Sequence, residues 1–93
     1  MKKLKIFYLK NCPYCRKAMD AVNELKTENP EYDKIETEWI EETVCPDIAN
    51  SYDYYRVPSI FCGEEKLYEC SPGDDYVEIK RQMENALNAA ASR

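Results

Sequence analysis

The sequence predicts a single α/β domain: a mixed four-stranded sheet with helices on both faces, in the order β-α-β-α-β-β-α. Three features lead there. A short apolar stretch runs into a proline-led amphipathic segment, and a second stretch with period-2 alternation follows at residues 35–39. The C-terminal third then holds a hairpin pattern followed by an apolar stripe at helical period. Strands separated by helices pair in parallel, whereas a hairpin pairs antiparallel, so the sheet must be mixed.

Residues 3–9 form the first strand, with Leu4, Ile6 and Tyr8 on one face and Phe7 and Leu9 on the other. The chain breaks at Asn11-Cys12-Pro13. Proline suits the first turn of a helix, and Ala18, Met19, Val22 and Leu25 follow at three- and four-residue spacing, which predicts a helix from Pro13 to Glu28. Asn29-Pro30 stops it. Ile35, Thr37 and Trp39 alternate with Glu36 and Glu38 as a half-buried second strand, Trp39 being a packed residue of it. Pro46 opens a short second helix that Thr43 or Cys45 caps, and Tyr52, Tyr54 and Tyr55 make an aromatic packing cluster after it. Residues 59–62 and 66–69 flank Gly63-Glu64-Glu65 as a hairpin. Tyr76, Ile79, Met83, Leu87 and Ala90 share one face of the last helix, with Ser71 as its cap, Pro72 at its first position and Asp74 at its third; residues 89–93 are a fraying tail.

Ninety-three residues leave room for one modest core, and 44% hydrophobic content with two glycines is a globular composition. The longest uncharged apolar run, residues 6–9, is far short of the roughly 20 residues of a membrane span, which predicts a cytoplasmic protein without a membrane partner. The formal net charge of −5 argues against nucleic acid, which rewards basic surfaces. That charge is uneven: residues 1–30 carry +4 and residues 31–93 carry −9. The basic end holds Lys10, Arg16 and Lys17, close in sequence to a cysteine pair whose thiols their positive potential would tune.

Five cysteines and no histidine direct attention to thiol chemistry. Cys12-Pro13-Tyr14-Cys15 lies where a strand ends and a helix begins. Free backbone N–H groups and the positive end of the helix dipole favour a thiolate there, which assigns Cys12 as nucleophile and Cys15, one turn inward, as resolving thiol. Structural zinc is disfavoured because the chain lacks a second such pair and any histidine. Cys62 is expected to be buried as a small apolar side chain, and Cys45 and Cys70 to be more accessible.

On these residues the sequence resembles the dithiol glutaredoxins of the thioredoxin-fold superfamily. The resemblance rests on the Cys-Pro-Tyr-Cys tetrapeptide after a first strand, on Val57-Pro58 forty-three positions beyond Cys15, and on Asp74-Asp75 before the last helix. It implies a thioredoxin-like fold for residues 1–93 and a thiol–disulfide oxidoreductase that binds no cofactor, uses glutathione as co-substrate and acts as a monomer on disulfide-containing proteins or on glutathione mixed disulfides. It also implies that Pro58 is cis and faces the cysteines, that Tyr14 lines a glutathione groove, that Val57 offers backbone hydrogen bonds, and that Gly73 and Asp74 hold the γ-glutamyl end. Lys10 stands in for the family lysine, which lies one place further from the first cysteine. The chain departs from the family in writing Ser71-Pro72-Gly73 where Gly-Gly is usual, in carrying Arg56 where threonine is frequent, and in a longer hairpin. Two alternatives remain beside it: a redoxin recycled by a flavin-dependent thioredoxin reductase, and an iron–sulfur carrier with thiolate ligands.

Overall fold

The structure, a computed structural model, describes residues 3–93. Strands β1 (Leu4–Tyr8), β2 (Thr37–Glu41), β3 (Ser59–Cys62) and β4 (Glu65–Glu69) form one sheet in the spatial order β2-β1-β3-β4. Strands β1 and β2 are parallel; β3 runs antiparallel to β1, and β4 antiparallel to β3. The described residues also form four helices: α1 (Pro13–Glu28), α2 (Pro30–Asp33), α3 (Pro46–Asn50) and α4 (Tyr76–Ala91).

Side chains alternate across a strand, so β1 serves two cores at once. Leu4 and Ile6 join Ile60 and Cys62 beneath α1 and α4, against Val22, Leu25, Ile79, Met83 and Leu87. Phe7 turns the other way and meets Ile40, Phe61 and Ala49 of α3. Tyr52 and Tyr54 close this second core, their rings 5.0 and 4.9 Å from that of Phe7. The expected helices on both faces are thus present; α1 and α4 are held by their apolar stripes, whereas α3 buries Ala49 alone.

Several boundaries differ from the sequence reading. Pro30 does more than stop α1: it opens α2, where Asn29 Oδ1 accepts the Glu31 N–H at 3.1 Å. Tyr32 is buried there and donates its hydroxyl to Glu84 at 2.9 Å, so the extra turn ties the α1 end to α4. Ile35 is buried just ahead of β2, which begins at Thr37. The hairpin turn is only Gly63-Glu64. Cys45 occupies the α3 cap position, but its side chain makes no capping bond there. Tyr55 lies outside the aromatic cluster, 89% exposed. Helix α4 starts at Tyr76 with Asp75 as its cap, the Asp75 carboxylate accepting the Glu78 N–H at 2.9 Å. Ser71 is not the cap. At the other end the helix continues to Ala91 with Ala90 buried, because that methyl faces the α1 side of the core.

Candidate active site

The loop from β1 into α1 places the cysteine pair. Asn11 takes a left-handed backbone conformation (φ 68°), which Asn tolerates better than most residues, and this turns the chain from the strand into the helix. Cys12 is the N-cap of α1 and Pro13 follows in its first turn. The Cys12 Sγ accepts the backbone N–H of Cys15 at 3.3 Å, so the thiol sulfur takes one of the donors that a helix N-terminus leaves open. Cys12 is partly exposed and Cys15 is buried. Burial pushes the Cys15 thiol up to about 12, the hydrogen bond with Cys12 adds to this, and the Leu9 backbone works against it. Cys15 therefore holds its proton at neutral pH.

Two concavities adjoin the Cys12–Cys15 segment. A cavity of about 510 Å³ is lined by Lys10, Asn11, Cys12, Cys15, Arg16 and Met19, among others. A groove of about 300 Å³, which Tyr14 of the motif borders but neither of its cysteines lines, is formed by Tyr14, Glu42, Tyr55, Arg56, Val57 and Pro72, among others. Leu9 borders both. The expected glutathione residues are thus divided: Tyr14 and Val57 face the groove, while Lys10 lines the cavity with the cysteines.

The peptide bond between Val57 and Pro58 is cis. Pro58 is buried and its carbonyl accepts the Cys70 N–H at 3.0 Å, while no hydrogen bond among the described residues occupies the Val57 backbone. The loop ahead of it is anchored by Glu69 at the end of β4. One carboxylate oxygen of Glu69 accepts the N–H groups of Tyr55 and Arg56 at 2.7 and 2.6 Å, and the other meets Lys66 at 2.7 Å. Burial of Glu69 works to raise its pKa, but Lys66 and the two backbone donors outweigh it and hold the carboxyl below its usual range.

Gly73 and Asp74 sit in a closed turn. The Asp74 N–H donates to the Ser71 carbonyl at 3.1 Å, with Pro72 second and Gly73 third at φ 93°, which is the type II pattern. The Gly73 N–H donates to the Tyr14 hydroxyl at 3.0 Å. The Asp74 carboxylate accepts from the Tyr68 hydroxyl at 2.6 Å and the Ser71 N–H at 3.0 Å, and these donors keep its pKa below the usual value. Both backbone donors and the carboxylate assigned to a γ-glutamyl group are therefore engaged within the chain.

Cys62 is buried as expected, but Cys70 is buried too, only 3% exposed, because its backbone is drawn under the Pro58 loop. Burial raises the Cys70 thiol, with the Tyr68 hydroxyl working against this and the Asp74 carboxylate adding to it. Cys70 lines the groove with Tyr14 and Val57. Sequence reasoning missed Glu69, Tyr68 and Cys70 as neighbours of the site. No spacing signal marks them, since β4 brings them there through long-range pairing. Among the described residues no group of three or more metal-ligating side chains is gathered.

No protein-family model matches the chain, and no curated protein matches it. A solved structure similar to it is thioredoxin 1 from the thermophilic eubacterium Thermosipho africanus TCF52B, with a TM-score of 0.60 over 94% of this chain and 96% of that one. The fold is that of thioredoxin. At 16% sequence identity the likeness is one of architecture, and it establishes for this chain the thioredoxin-like α/β fold with its open mixed sheet. Within that thioredoxin fold the cysteine pair lies at the β1–α1 junction. No helix of the described residues is long and apolar enough to cross a membrane.

Proposed function

We propose that this protein is a small thiol–disulfide oxidoreductase that reduces polypeptide disulfides with Cys12 and Cys15. The observation that carries the reading is the unequal pair at the start of α1: Cys12 is partly exposed at the N-cap, and Cys15 is buried one turn inward with its proton retained. The Cys12 thiolate attacks one sulfur of a disulfide RS–SR′. The S–S bond breaks, R′S⁻ leaves with the electron pair and takes a proton from water, and Cys12 is left joined to SR. Cys15 then gives up its proton and attacks the Cys12 sulfur. A Cys12–Cys15 disulfide forms, RS⁻ leaves and is protonated, and two electrons have passed to the substrate. An external thiol or dithiol must reopen the pair.

The open backbone of Val57 supports docking of an extended substrate segment in the groove. The closed turn at residues 71–74 favours weak recognition of glutathione, the co-substrate that the glutaredoxin resemblance implies, and therefore a protein reductase as the better electron donor. The thiol pair suits a reducing compartment such as the cytoplasm; on this reading the protein acts as a single copy. Coupled turnover on a disulfide-bonded protein such as insulin, driven by glutathione with its reductase or by a flavin-dependent thioredoxin reductase, tests both parts. Absence of reduction with either donor would overturn the function. Equal or faster turnover with glutathione would restore the glutaredoxin assignment.

A further inference from the structure

We propose that the face around Cys12 docks polypeptide disulfides flanked by acidic residues. This rests on Cys12 and Cys15 acting as a reducing pair, and it names the substrate class. The protein is acidic overall, with formal net charge −5, and most of its cations are spent internally. Lys3, Lys34, Lys66, Lys80, Arg81 and Arg93 each hold a carboxylate oxygen within 3.2 Å. Lys5 donates to the Tyr52 hydroxyl and Lys26 to the Ile35 carbonyl.

Among the described residues, Lys10, Arg16, Lys17 and Arg56 have no such partner. Arg16 comes only within 4.0 Å of Asp20, with the two side chains 81% and 62% exposed, where a pair contributes little. Lys17 lies over the Tyr14 ring, 5.5 Å from its centroid, and the Lys10 and Arg56 side chains meet no carboxylate. All four lie at the two concavities that adjoin the Cys12–Cys15 segment. Lys10 and Arg16 line the cavity with both cysteines, Arg56 lines the groove, and Lys17 covers the ring of a groove residue. The nearby carboxylates are held by other donors than these four side-chain cations: Glu41 by Thr43 and the Lys10 backbone N–H, Glu42, which lines the groove with Arg56, by the Tyr54 hydroxyl, and Asp74 by Tyr68 and Ser71.

Cations left free in the Cys12 cavity and at the groove beside Tyr14 complement acidic groups on both sides of a substrate cysteine. A chain lying across the Cys12–Tyr14 segment can meet both groups of cations at once. Acidic substrate also repels the rest of this acidic surface, so the complementary face steers it to Cys12.

The test is single turnover. Prereduced protein is mixed with bis(2-hydroxyethyl) disulfide, with glutathione disulfide, or with one of three peptides that carry the same disulfide flanked by Glu, Ser or Lys, and oxidation of the pair is followed by quenched intact mass. At about 20 mM salt the Glu peptide should react about tenfold faster than the Lys peptide, each exposed pair supplying up to a factor of about five. At about 1 M salt, where the screening length is about 3 Å, the two should agree within about twofold. In the Arg16→Glu/Arg56→Glu double variant, with each rate divided by that variant's own rate on the neutral disulfide, the order should invert. Equal Glu and Lys rates at low salt, with the neutral disulfide still reduced, would overturn the docking proposal alone. Glutathione disulfide reacting as fast as the Glu peptide would also overturn it, by assigning the cations to a small acid. No oxidation by any substrate would overturn the reductase reading with it. The salt series needs only the unmodified protein, so it decides the matter even if the double variant does not fold.

Discussion

Glu69 is the residue whose loss should separate loop anchoring from thiol chemistry. Its carboxylate holds the Tyr55 and Arg56 N–H groups at 2.7 and 2.6 Å and so sets the chain that leads to Val57 and Pro58. Hydrogen bonds to a charged group contribute about 1.5–3 kcal/mol each when enclosed. These two lie at an exposed loop, where water can replace the lost acceptor, so the low end applies and is shared between the bonds. Glu69→Ala should therefore cost about 1–2 kcal/mol, a drop in melting temperature of roughly 4–16 °C for a domain of this size. Glu69→Gln retains an acceptor oxygen and should recover about half. Urea unfolding of the three proteins measures this directly. The pH dependence has a fixed sign. The folded carboxyl lies below its usual value, so its contribution is complete above the unfolded pKa of about 4.3 and is lost as pH falls through the folded value. The gap between native protein and Glu69→Ala should thus close toward pH 3. In activity, Glu69→Ala should raise KM for a peptide disulfide more than for bis(2-hydroxyethyl) disulfide, because only the peptide uses the Val57 chain. Unchanged unfolding midpoints, or a stability gap that persists at pH 3, would refute this account of the carboxylate.

Iodoacetamide at pH 8 should label Cys12 and Cys45 in the folded protein, and all five cysteines in urea, because Cys15, Cys62 and Cys70 are buried. Counting adducts by intact mass checks it, and labelling of Cys15 ahead of Cys12 would contradict the assigned roles. Cys12→Ser should abolish disulfide reduction, whereas Cys15→Ser should still trap a mixed disulfide with glutathione disulfide; equal trapping by both variants would count against the division of labour. Raised by burial to about 12, the Cys15 thiol keeps its proton in the folded state, so stability should fall as pH rises from about 8.5 toward 12, and Cys15→Ser should flatten that fall in unfolding midpoints. Tyr14→Phe frees the Gly73 N–H and should raise the ratio of glutathione-driven to dithiothreitol-driven turnover about two- to fivefold, one exposed hydrogen bond being worth about 0.5–1 kcal/mol; an unchanged ratio would mean that the Tyr14 bond does not limit glutathione.

Much of this architecture was legible because it is written in short-range patterns. The alternation of Leu4, Ile6 and Phe7, the proline-led stripe of α1, the Gly63 turn and the helical stripe from Tyr76 to Ala90 each lie within a few residues of one another, and period alone assigns them to strand, helix and face. The Cys12–Cys15 motif was legible for the same reason, since the N-cap geometry that exposes one thiol and buries the other is local to the first turn of α1. What only the tertiary structure decided depends on residues far apart in the chain. Tyr14 meets Gly73 across fifty-nine positions, Glu69 reaches back to Tyr55, and Cys70 is buried because β4 pairs with β3 and carries it under Pro58. The start of α4 shows the contest most plainly. Ser71 and Asp75 are both good capping residues by type, but the Pro72-Gly73 turn and its bonds to Tyr14 and Tyr68 commit residues 71–74 elsewhere, and the helix begins where the next free carboxylate, Asp75, can accept its first N–H. Local propensity offers such alternatives at nearly equal free energy, and long-range hydrogen bonds of about 1 kcal/mol each are enough to choose between them.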